Sequence, residues 1–203
     1  MEASGYTIRI FVPDGDPDGV LVINQMNWTG IGVKFGRSQW PRVRQRKEFD
    51  RVGIYMLIGR NEQDEDLPRV YVGEGDGIRS RIESHYQSKD FWTWGVAFSS
   101  DANGLNKAHV QWLEHALLQL SLEVKQCTLD NANIPQKPEL SEHEEADVRG
   151  FLGHMLRILP LVNLRAFERP TPILQQKDEV AKTKPITPDS REVLDTVVVP
   201  AQK

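Results

Sequence analysis

Two short apolar runs, each with a tyrosine close to a glycine, constrain the fold of this 203-residue chain more than any other feature. Residues 52–59 read VGIYMLIG and residues 70–73 read VYVG, with the polar segment NEQDEDLP between them. Alternate residues of a strand point to opposite faces. In the first run, Ile54, Met56 and Ile58 therefore point to one face, and Tyr55 and Leu57 point to the other. Two such runs joined by a turn-rich loop predict an antiparallel pair of strands.

A helical pattern follows the second run and places two basic side chains where apolar ones are expected. The turn EGDG precedes IRSRIESH, and Asp76 is the predicted N-cap. Four residues share one face because they are spaced i, i+3, i+4 and i+7: Ile78, Arg81, Ile82 and His85. Since the isoleucines mark that face as the inward one, we expect Arg81 and His85 to lie on it, one turn apart.

A second helical pattern, KAHVQWLEHALLQL, holds a carboxylate beside its apolar stripe. Asn103 or Asn106 can cap this helix, and Glu114 lies at the edge of the stripe. Taken alone, such a glutamate is most often an exposed side chain next to a hydrophobic face. Glu114 therefore becomes a candidate only in combination with other residues.

Further β patterns occur on both sides of these elements. Residues 6–12, 20–23 and 29–35 predict a small N-terminal sheet, and residues 91–98 predict a strand between the two helices. The segment DGDPDG at 14–19 resembles the start of a calcium-binding loop, but Gln25 stands where that loop needs a glutamate and its flanks are β. We interpret it as a hairpin turn.

The distribution of charge is uneven, although the net charge is only −4. From residue 34 to residue 51 there are seven lysines and arginines against two acidic residues, a local excess of five positive charges. Such a segment is typical of phosphate-binding surfaces, and a solvated charged helix or loop is an equally good interpretation of it. The predicted nucleic-acid-binding residues are Arg37, Arg42, Arg44, Arg46 and Lys47.

The C-terminal half contains one more helix and then changes composition. Ser141 and Glu144 form an S-x-x-E capping box for a helix that runs to about Ile158, before Pro160. Acidic residues in a first helical turn favour the helix dipole, so EHEE at 142–145 is not interpreted as a metal site. The predicted domains are 1–50 (β extension and basic segment), 51–167 (central domain with its C-terminal helix) and 168–203 (proline-rich tail or the start of a further domain).

The composition of the chain limits the cellular compartments that are expected for it. No apolar run has the length of a membrane span, and the N-terminus lacks the pattern of a secretory signal, so no membrane partner is expected. The single cysteine, Cys127, cannot form an internal disulfide, which favours a reducing cytoplasm.

Taken together, the central motifs resemble the GIY-YIG nuclease superfamily, within a bacterial group that carries an N-terminal β extension. The resemblance is tight from about residue 52 to residue 120. It rests on Gly53-Ile54-Tyr55, on Tyr71-Val72-Gly73 with valine in place of the usual isoleucine, on Arg81-x-x-x-His85, and on Glu114. It implies an α+β fold: a small three-stranded antiparallel sheet flanked by helices, here with an N-terminal β-hairpin extension and a Pro-rich C-terminal tail.

The resemblance also implies an activity, namely divalent-metal-dependent hydrolysis of a DNA phosphodiester bond, with RNA not excluded as a partner. Arg81 would hold the scissile phosphate, because a guanidinium matches the charge that grows on phosphate in the transition state. Glu114 would hold one Mg²⁺ or Mn²⁺ ion, whose other positions water can fill.

The resemblance assigns the remaining site residues as well. Tyr55 would act as the general base, although a free phenol has a pKa of about 10. Tyr71 and His85 would orient water or phosphate and share the proton transfer. An asparagine beyond the second helix completes such sites, and Asn133 is preferred here over Asn131.

Two departures from the family pattern favour an alternative. Glu74 and Asp76 place acidic residues directly after YVG, and the loop before Tyr71 is also acidic. Negative charge at these positions opposes the approach of phosphate to a catalytic site. A non-catalytic nucleic-acid- or protein-binding module on the same fold would tolerate that charge.

Overall fold

One mixed β-sheet of seven strands organises the computed structural model, which describes residues 5–101 and 104–169. The strands are β1 (Ile8–Phe11), β2 (Leu21–Gln25), β3 (Gly30–Gly36), β4 (Gly53–Gly59), β5 (Arg69–Gly75), β6 (Trp92–Ser100) and β7 (Thr128–Leu129). Their order across the sheet is β1-β2-β3-β6-β4-β5-β7. Neighbours are antiparallel except β5 and β7, which are parallel.

The expected small three-stranded sheet with a separate N-terminal hairpin is wrong. β3 pairs with β6 over seven residues, from Gly30 opposite Ser100 to Gly36 opposite Trp94, so the N-terminal strands continue the central sheet. The N-terminal and central strands form one sheet because β6 pairs with β3 along one edge and with β4 along the other. Which strand lies beside which is a non-local property that alternation of apolar residues does not encode.

Four α-helices within residues 5–101 and 104–169 cover the two faces of the sheet. They are α1 (Trp40–Val43), α2 (Ile78–Ser88), α3 (Lys107–Val124) and α4 (Glu142–Ile158), with 3-10 turns at Arg37–Gln39, Lys47–Asp50 and Leu159–Val162. The predicted alternation in β4 is confirmed. Ile54, Met56 and Ile58 pack in a core with apolar residues of α3 and α4, whereas Tyr55 and Leu57 pack in a second core that contains residues of α1 and α2.

The helix ends confirm two predicted caps and correct a third. The Asn106 side chain accepts a hydrogen bond from the His109 N–H of α3 (2.9 Å), while Asn103 lies outside the described residues. The Ser141 N–H donates to the Glu144 carboxylate (3.0 Å), which completes the predicted capping box of α4. Asp76 was the wrong N-cap for α2, because the extended residue that precedes the helix is Gly77.

The described residues form one compact unit. None of the helices in this part of the chain is both long enough and apolar enough to cross a membrane. The tail predicted from residue 168 falls almost wholly outside the described residues, as does the β pattern near its end.

The packing of α3 on the sheet yields a stability prediction. Leu113 is fully buried in the first core, and its truncation in Leu113→Ala leaves a cavity. We expect a loss of about 2–5 kcal/mol in the free energy of unfolding, measured by urea denaturation. Leu122→Ala on the same helix is the matched control, since Leu122 is 51% exposed and should lose less than about 1 kcal/mol. Equal losses in the two variants would contradict this packing.

Candidate active site

The two tyrosines of the signature runs lie on the same face of the sheet, the one that α2 covers. Tyr55 in β4 pairs directly with Gly73 in β5, and the centroids of the Tyr55 and Tyr71 rings are 6.2 Å apart. A Cβ atom added at Gly73 would lie 2.5 Å from the Tyr55 hydroxyl oxygen and 2.8 Å from the Tyr71 ring. Only glycine therefore leaves room for both rings, which explains the third residue of YVG in physical terms.

The glycine of the first signature has a different constraint. A Cβ atom at Gly53 would lie 2.4 Å from the carbonyl oxygen of Phe98, which belongs to the neighbouring strand β6. Gly53 thus permits the close approach of β4 to β6 and keeps Tyr55, two residues later, in register.

His85 completes an aromatic cluster with the tyrosines. Its ring centroid lies 4.5 Å from that of Tyr71 and 6.0 Å from that of Tyr55. The buried Nε2 atom of His85 has no hydrogen-bond partner in the described part of the chain. Burial lowers the pKa of His85 to about 4, and the positive charges of Lys89 and Arg81 contribute to the shift. The imidazole is therefore neutral at pH 7 and can accept a proton.

Arg81 lies one turn before His85, but its side chain is exposed rather than turned inward as predicted. Its Cγ atom would touch a Cβ atom added at Gly75 (3.0 Å), so the aliphatic stem packs on β5. Its charge acts on Tyr55, Tyr71 and Glu114. No acidic side chain among the described residues pairs with it, so it is available to an anion.

Glu114 of α3 is partly buried and interacts electrostatically with the same group. Burial is the main cause that raises the pKa of Glu114 to about 7; the negative charge of Glu74 also raises it, and Arg81 and Lys107 lower it. Glu74 itself accepts two hydrogen bonds from the Lys107 ammonium group, at 2.7 and 2.8 Å. A carboxylate in this setting is stabilised in its ionised form by any added cation.

The hydroxyl groups of both tyrosines are held in the neutral form. Burial raises the pKa of Tyr55, and the neighbouring phenol of Tyr71 adds to the effect. Burial also raises the pKa of Tyr71. The two hydroxyls interact, but the buried Tyr55 hydroxyl makes no hydrogen bond of normal geometry within the described residues. Between Tyr55 and His85, the imidazole is thus the better proton acceptor near pH 7.

The two candidate asparagines have different surroundings. The Asn131 side chain accepts a hydrogen bond from the Val72 N–H (2.9 Å) and donates one to the Val72 carbonyl (2.8 Å), so it binds the outer edge of β5 between Tyr71 and Gly73. Asn133, the preferred candidate, is exposed. No contact within the described residues joins it to the other predicted site residues.

Sequence reasoning missed two charged residues beside the tyrosines. The Lys89 ammonium lies 4.7 Å from the centroid of the Tyr71 ring and 2.5 Å from the Asp130 carboxylate. The Asp130 side chain is 5% exposed and also pairs with Arg69. Lys89 follows His85 by four residues, a spacing that would have placed it on the same side of α2. No sequence pattern around Asp130 indicates its ion pairs, because its partners Arg69 and Lys89 are distant in the sequence.

The basic segment is largely neutralised within the protein. Each of its predicted nucleic-acid-binding arginines forms an ion pair: Arg37 with Asp90, Arg42 with Asp14, Arg44 with Glu83, and Arg46 with Glu48. Lys47 is exposed and has no such partner in the described part. Three of the four acidic partners lie outside the segment, which is why a local count of charge overstated its positive character.

A cavity of about 470 Å³ lies next to this segment, not at the tyrosines. Its lining includes Arg44, Asp50, Gly77 and Arg79. The Arg44 and Arg79 guanidiniums already pair with acidic side chains, those of Glu83 and Asp50. The cavity is therefore separate from the residues that carry the candidate chemistry.

The side chains of the site offer few ligands for a divalent cation. No group of three or more histidine, cysteine, aspartate or glutamate side chains in residues 5–101 and 104–169 could hold a metal ion. A partly buried carboxylate such as Glu114, with Glu74 acting on it, nonetheless suits magnesium, which keeps several waters and needs only one or two carboxylates. The residues present fit a hydrated Mg²⁺ or Mn²⁺ ion and do not fit a metal held by protein ligands alone.

Comparison with known proteins adds no relative: no protein-family model, no curated protein and no solved structure matches this chain.

The electrostatics of the site predict opposite pH dependences for two variants in EDTA. His85 has a folded pKa of about 4 against an ordinary 6.5, so its contribution to stability is complete above pH 6.5 and is lost as the pH falls towards 4. Glu114 has a folded pKa of about 7 against 4.5, so its contribution is complete below pH 4.5 and is lost as the pH rises through 7. Because both groups are partly exposed, each effect is on the order of 1–2 kcal/mol.

Urea unfolding of the wild type, His85→Gln and Glu114→Gln between pH 4.5 and 8 measures these effects. Relative to the wild type, His85→Gln should gain stability towards acid and Glu114→Gln should gain it towards alkali. Differences that do not change with pH would rule out the described burial.

A matched pair of asparagine variants tests the edge of β5. Asn131→Ala removes both hydrogen bonds to the Val72 backbone and should lower the free energy of unfolding by about 1–3 kcal/mol. Asn133→Ala changes an exposed side chain and should lose less than about 0.5 kcal/mol. Thermal and urea unfolding give the comparison, and an equal effect of the two changes would show that Asn131 does not hold the edge.

Proposed function

We propose that the protein is a divalent-metal-dependent endonuclease that hydrolyses DNA phosphodiester bonds through a single-metal site of the GIY-YIG type. The observation that supports the proposal is the convergence of five side chains on one end of β5, in the chain order that the resemblance requires. They are Tyr55, Tyr71, Arg81, His85 and Glu114. Each has a structural explanation alone, but a structural role does not require all five to interact.

Arg81 is the phosphate-binding residue in this proposal. Arg81 is an exposed residue, it has no acidic partner among the described residues, and it lies one helical turn from His85. A guanidinium donates charge-assisted hydrogen bonds to phosphate oxygens, and these strengthen as negative charge develops on the phosphoryl group.

His85 and the tyrosines share the proton transfer. The resemblance assigns the base to Tyr55, but burial keeps that phenol neutral. In this proposal the neutral His85 imidazole, a weak base with a pKa of about 4, shares the transfer of the proton from the attacking water, while the Tyr55 and Tyr71 hydroxyls orient the water and the phosphate. Lys89 and Arg69 share the single Asp130 carboxylate, so this group leaves one net positive charge beside Tyr71, which favours an anionic substrate.

Glu114 is the residue that would hold the metal ion. A bound Mg²⁺ or Mn²⁺ ion supplies electrostatic stabilisation of the charge on the phosphate in the transition state. The chain's own contribution is a carboxylate fixed by α3, partly shielded from solvent and within electrostatic range of Arg81. Asn133 has no supporting contact and is retained only as a candidate from the resemblance.

The alternative to an enzyme is a non-catalytic module that binds nucleic acid or protein, and one observation favours a protein partner. The arginines of the basic segment are engaged by acidic side chains, so the protein offers little unpaired positive charge for gripping long duplex DNA. RNA as a substrate and a cytoplasmic location remain predictions from the sequence.

The cleavage assay is direct. In the presence of Mg²⁺ or Mn²⁺, the purified protein should convert supercoiled plasmid to nicked or linear DNA, and EDTA should stop the reaction. Glu114→Gln should lower the rate by at least about 100-fold, because it removes the charge that holds the metal ion. Glu123→Gln is the matched control: it lies on the same helix, its side chain is 59% exposed, and activity should be unchanged.

Two results would contradict the proposal. One is no cleavage of duplex, branched or single-stranded DNA, or of RNA, by folded protein with either metal. The other is cleavage that survives Glu114→Gln, which indicates a contaminating nuclease. DNA binding that persists in Glu114→Gln but falls when Arg42, Arg44 and Arg46 are replaced by alanine would, without cleavage, favour the binding module.

A further inference from the structure

One buried carboxylate holds two cations at the outer edge of β5. The Asp130 side chain is only 5% exposed, and it accepts hydrogen bonds from the Lys89 ammonium (2.5 Å) and from the Arg69 guanidinium. The Asp130 N–H donates to the Val70 carbonyl (2.8 Å), which fixes the residue beside the strand. Arg69, Lys89 and Asp130 are called the Asp130 cluster below. Two positive charges against one negative charge leave this cluster with one net positive charge.

Both cations of the Asp130 cluster are accessible and have unused donors. The side chains of Lys89 and Arg69 are 26% and 44% exposed. Within residues 5–101 and 104–169, Asp130 is the only acceptor that bonds either head group. An ammonium and a guanidinium each carry several N–H donors. Most donors of the cluster therefore remain for solvent or for an anion.

Aromatic rings hold the two head groups in place. The Lys89 ammonium lies 4.7 Å from the centroid of the Tyr71 ring, and the Arg69 guanidinium carbon lies 4.9 Å from that of Phe91. Contacts of this kind attract a cation, and here they come in addition to the bonds with Asp130. The cations are thus positioned before any ligand binds, which reduces the loss of side-chain entropy on binding.

The Asp130 cluster and Arg81 lie at opposite ends of β5 and α2. Arg81 packs against Gly75, the last residue of the strand, whereas Arg69 is the first residue of the strand and Lys89 follows the last residue of α2. The eight residues from Arg81 to Lys89 span about 12 Å along a helix axis. The rings of the candidate site therefore lie between two separate positions that carry positive charge.

A second cluster of the same composition provides a comparison. The Glu145 carboxylate accepts hydrogen bonds from Lys137 (2.9 Å) and Arg149 (2.7 Å), and both cations lie over the Trp112 ring. Its carboxylate is 28% exposed, so solvent screens these charges. Trp112 belongs to the core that α3 and α4 form, away from the tyrosines of the other core. Burial of the carboxylate and proximity to the tyrosines distinguish the Asp130 cluster.

We propose that Lys89 and Arg69 bind a backbone phosphate of the DNA strand, a few nucleotides from the phosphate that Arg81 holds. This inference rests on the proposed function for the role of Arg81 and adds a binding site away from the reacting phosphate. One strand of duplex DNA advances about 3.4 Å per nucleotide along its axis, so about 12 Å corresponds to roughly three nucleotides.

A phosphate contact at this distance would set the register of the strand in the site, because contacts to phosphate position a nucleic acid without reading its sequence. It also gives this acidic protein a cationic contact that does not use the basic segment, whose arginines are paired with acidic side chains. A structural clasp, in contrast, needs only one cation to neutralise Asp130. The second positive charge is balanced when an anion binds.

DNA binding in EDTA tests the inference without any cleavage. The probes are two short fluorescein-labelled DNA duplexes of unrelated sequence, and fluorescence anisotropy measures their Kd over a range of NaCl concentrations. The variants are Lys89→Met, Lys89→Arg, Arg69→Met and Asp130→Asn. Lys137→Met is the matched control, since it removes the lysine of the second cluster. Urea unfolding confirms that each variant is folded.

Lys89→Met and Arg69→Met should each weaken DNA binding at least about 5-fold and lower the slope of log Kd against log salt concentration by about 1. The loss should be equal for the two duplexes, because the phosphate carries no sequence information. Lys89→Arg keeps the charge and should stay within about 3-fold of the wild type. Asp130→Asn raises the net charge of the cluster and should tighten binding at least about 2-fold. Lys137→Met should stay within about 2-fold of the wild type.

Three outcomes overturn the inference, and they separate it from the proposed function. One is a Lys89→Met variant that loses no more affinity than Lys137→Met; cleavage that depends on Glu114 would then leave the proposed function intact. Another is folded Asp130→Asn protein that binds DNA more weakly than the wild type, which makes the cluster a structural clasp.

The third outcome is wild-type protein that binds neither duplex at about 100 µM, the weak limit of non-specific DNA binding. The cleavage assay decides the proposed function separately. If Lys89→Met and Arg69→Met weaken binding as expected in a protein that cleaves no nucleic acid, the phosphate site stands and the nuclease does not.

Discussion

The pairing of β6 along both of its edges is the constraint on which the rest of the structure depends. Seven residues of β3 pair on one side and seven of β4 on the other, so the N-terminal strands and the signature strands form one continuous layer. Each face of that layer then needs its own cover, which α3 and α4 provide on one side and α1 and α2 on the other. The N-terminal region is thereby part of the support of the candidate site rather than an appendage to it.

The candidate site lies where this layer ends. β4 has neighbours on both sides, whereas in the described part of the chain β5 has only the two-residue strand β7 and the Asn131 side chain beyond it. Side chains of α2 and α3, which lie on opposite faces, can therefore approach one another only around β5. Tyr55 is buried and His85 is half-buried beside the exposed Arg81, so water is partly excluded from this place. This combination suits reactions that move charge, because fields act more strongly where water is excluded.

Sequence predicted what is local. Alternation placed Tyr55 and Leu57 opposite Ile54, the hairpin of β4 and β5 followed from its loop, and the caps at Asn106 and Ser141 followed from residue type and spacing. It failed where partners are remote. The residues around position 33 do not indicate that β3 pairs with β6, and the residues around Arg44 do not indicate its ion pair with Glu83. The helical pattern placed Arg81 on the correct turn but could not show that its long side chain extends to solvent. The roles inferred from the resemblance stay predictions.

β7 and the Asn131 side chain, which cover part of the outer edge of β5, also hinder pairing of that edge with a second chain. An exposed strand edge is a template on which a second chain can add a strand. Asn131 occupies both hydrogen-bonding groups of Val72, and Arg69 and Lys89 place charges beside the same edge through Asp130. Among the described residues, only the last three of β5 have no strand beyond them and no bond to Asn131, and these are Gly73, Glu74 and Gly75, which have low strand propensity or carry charge. The edge of β5 is thus a poor template for another polypeptide.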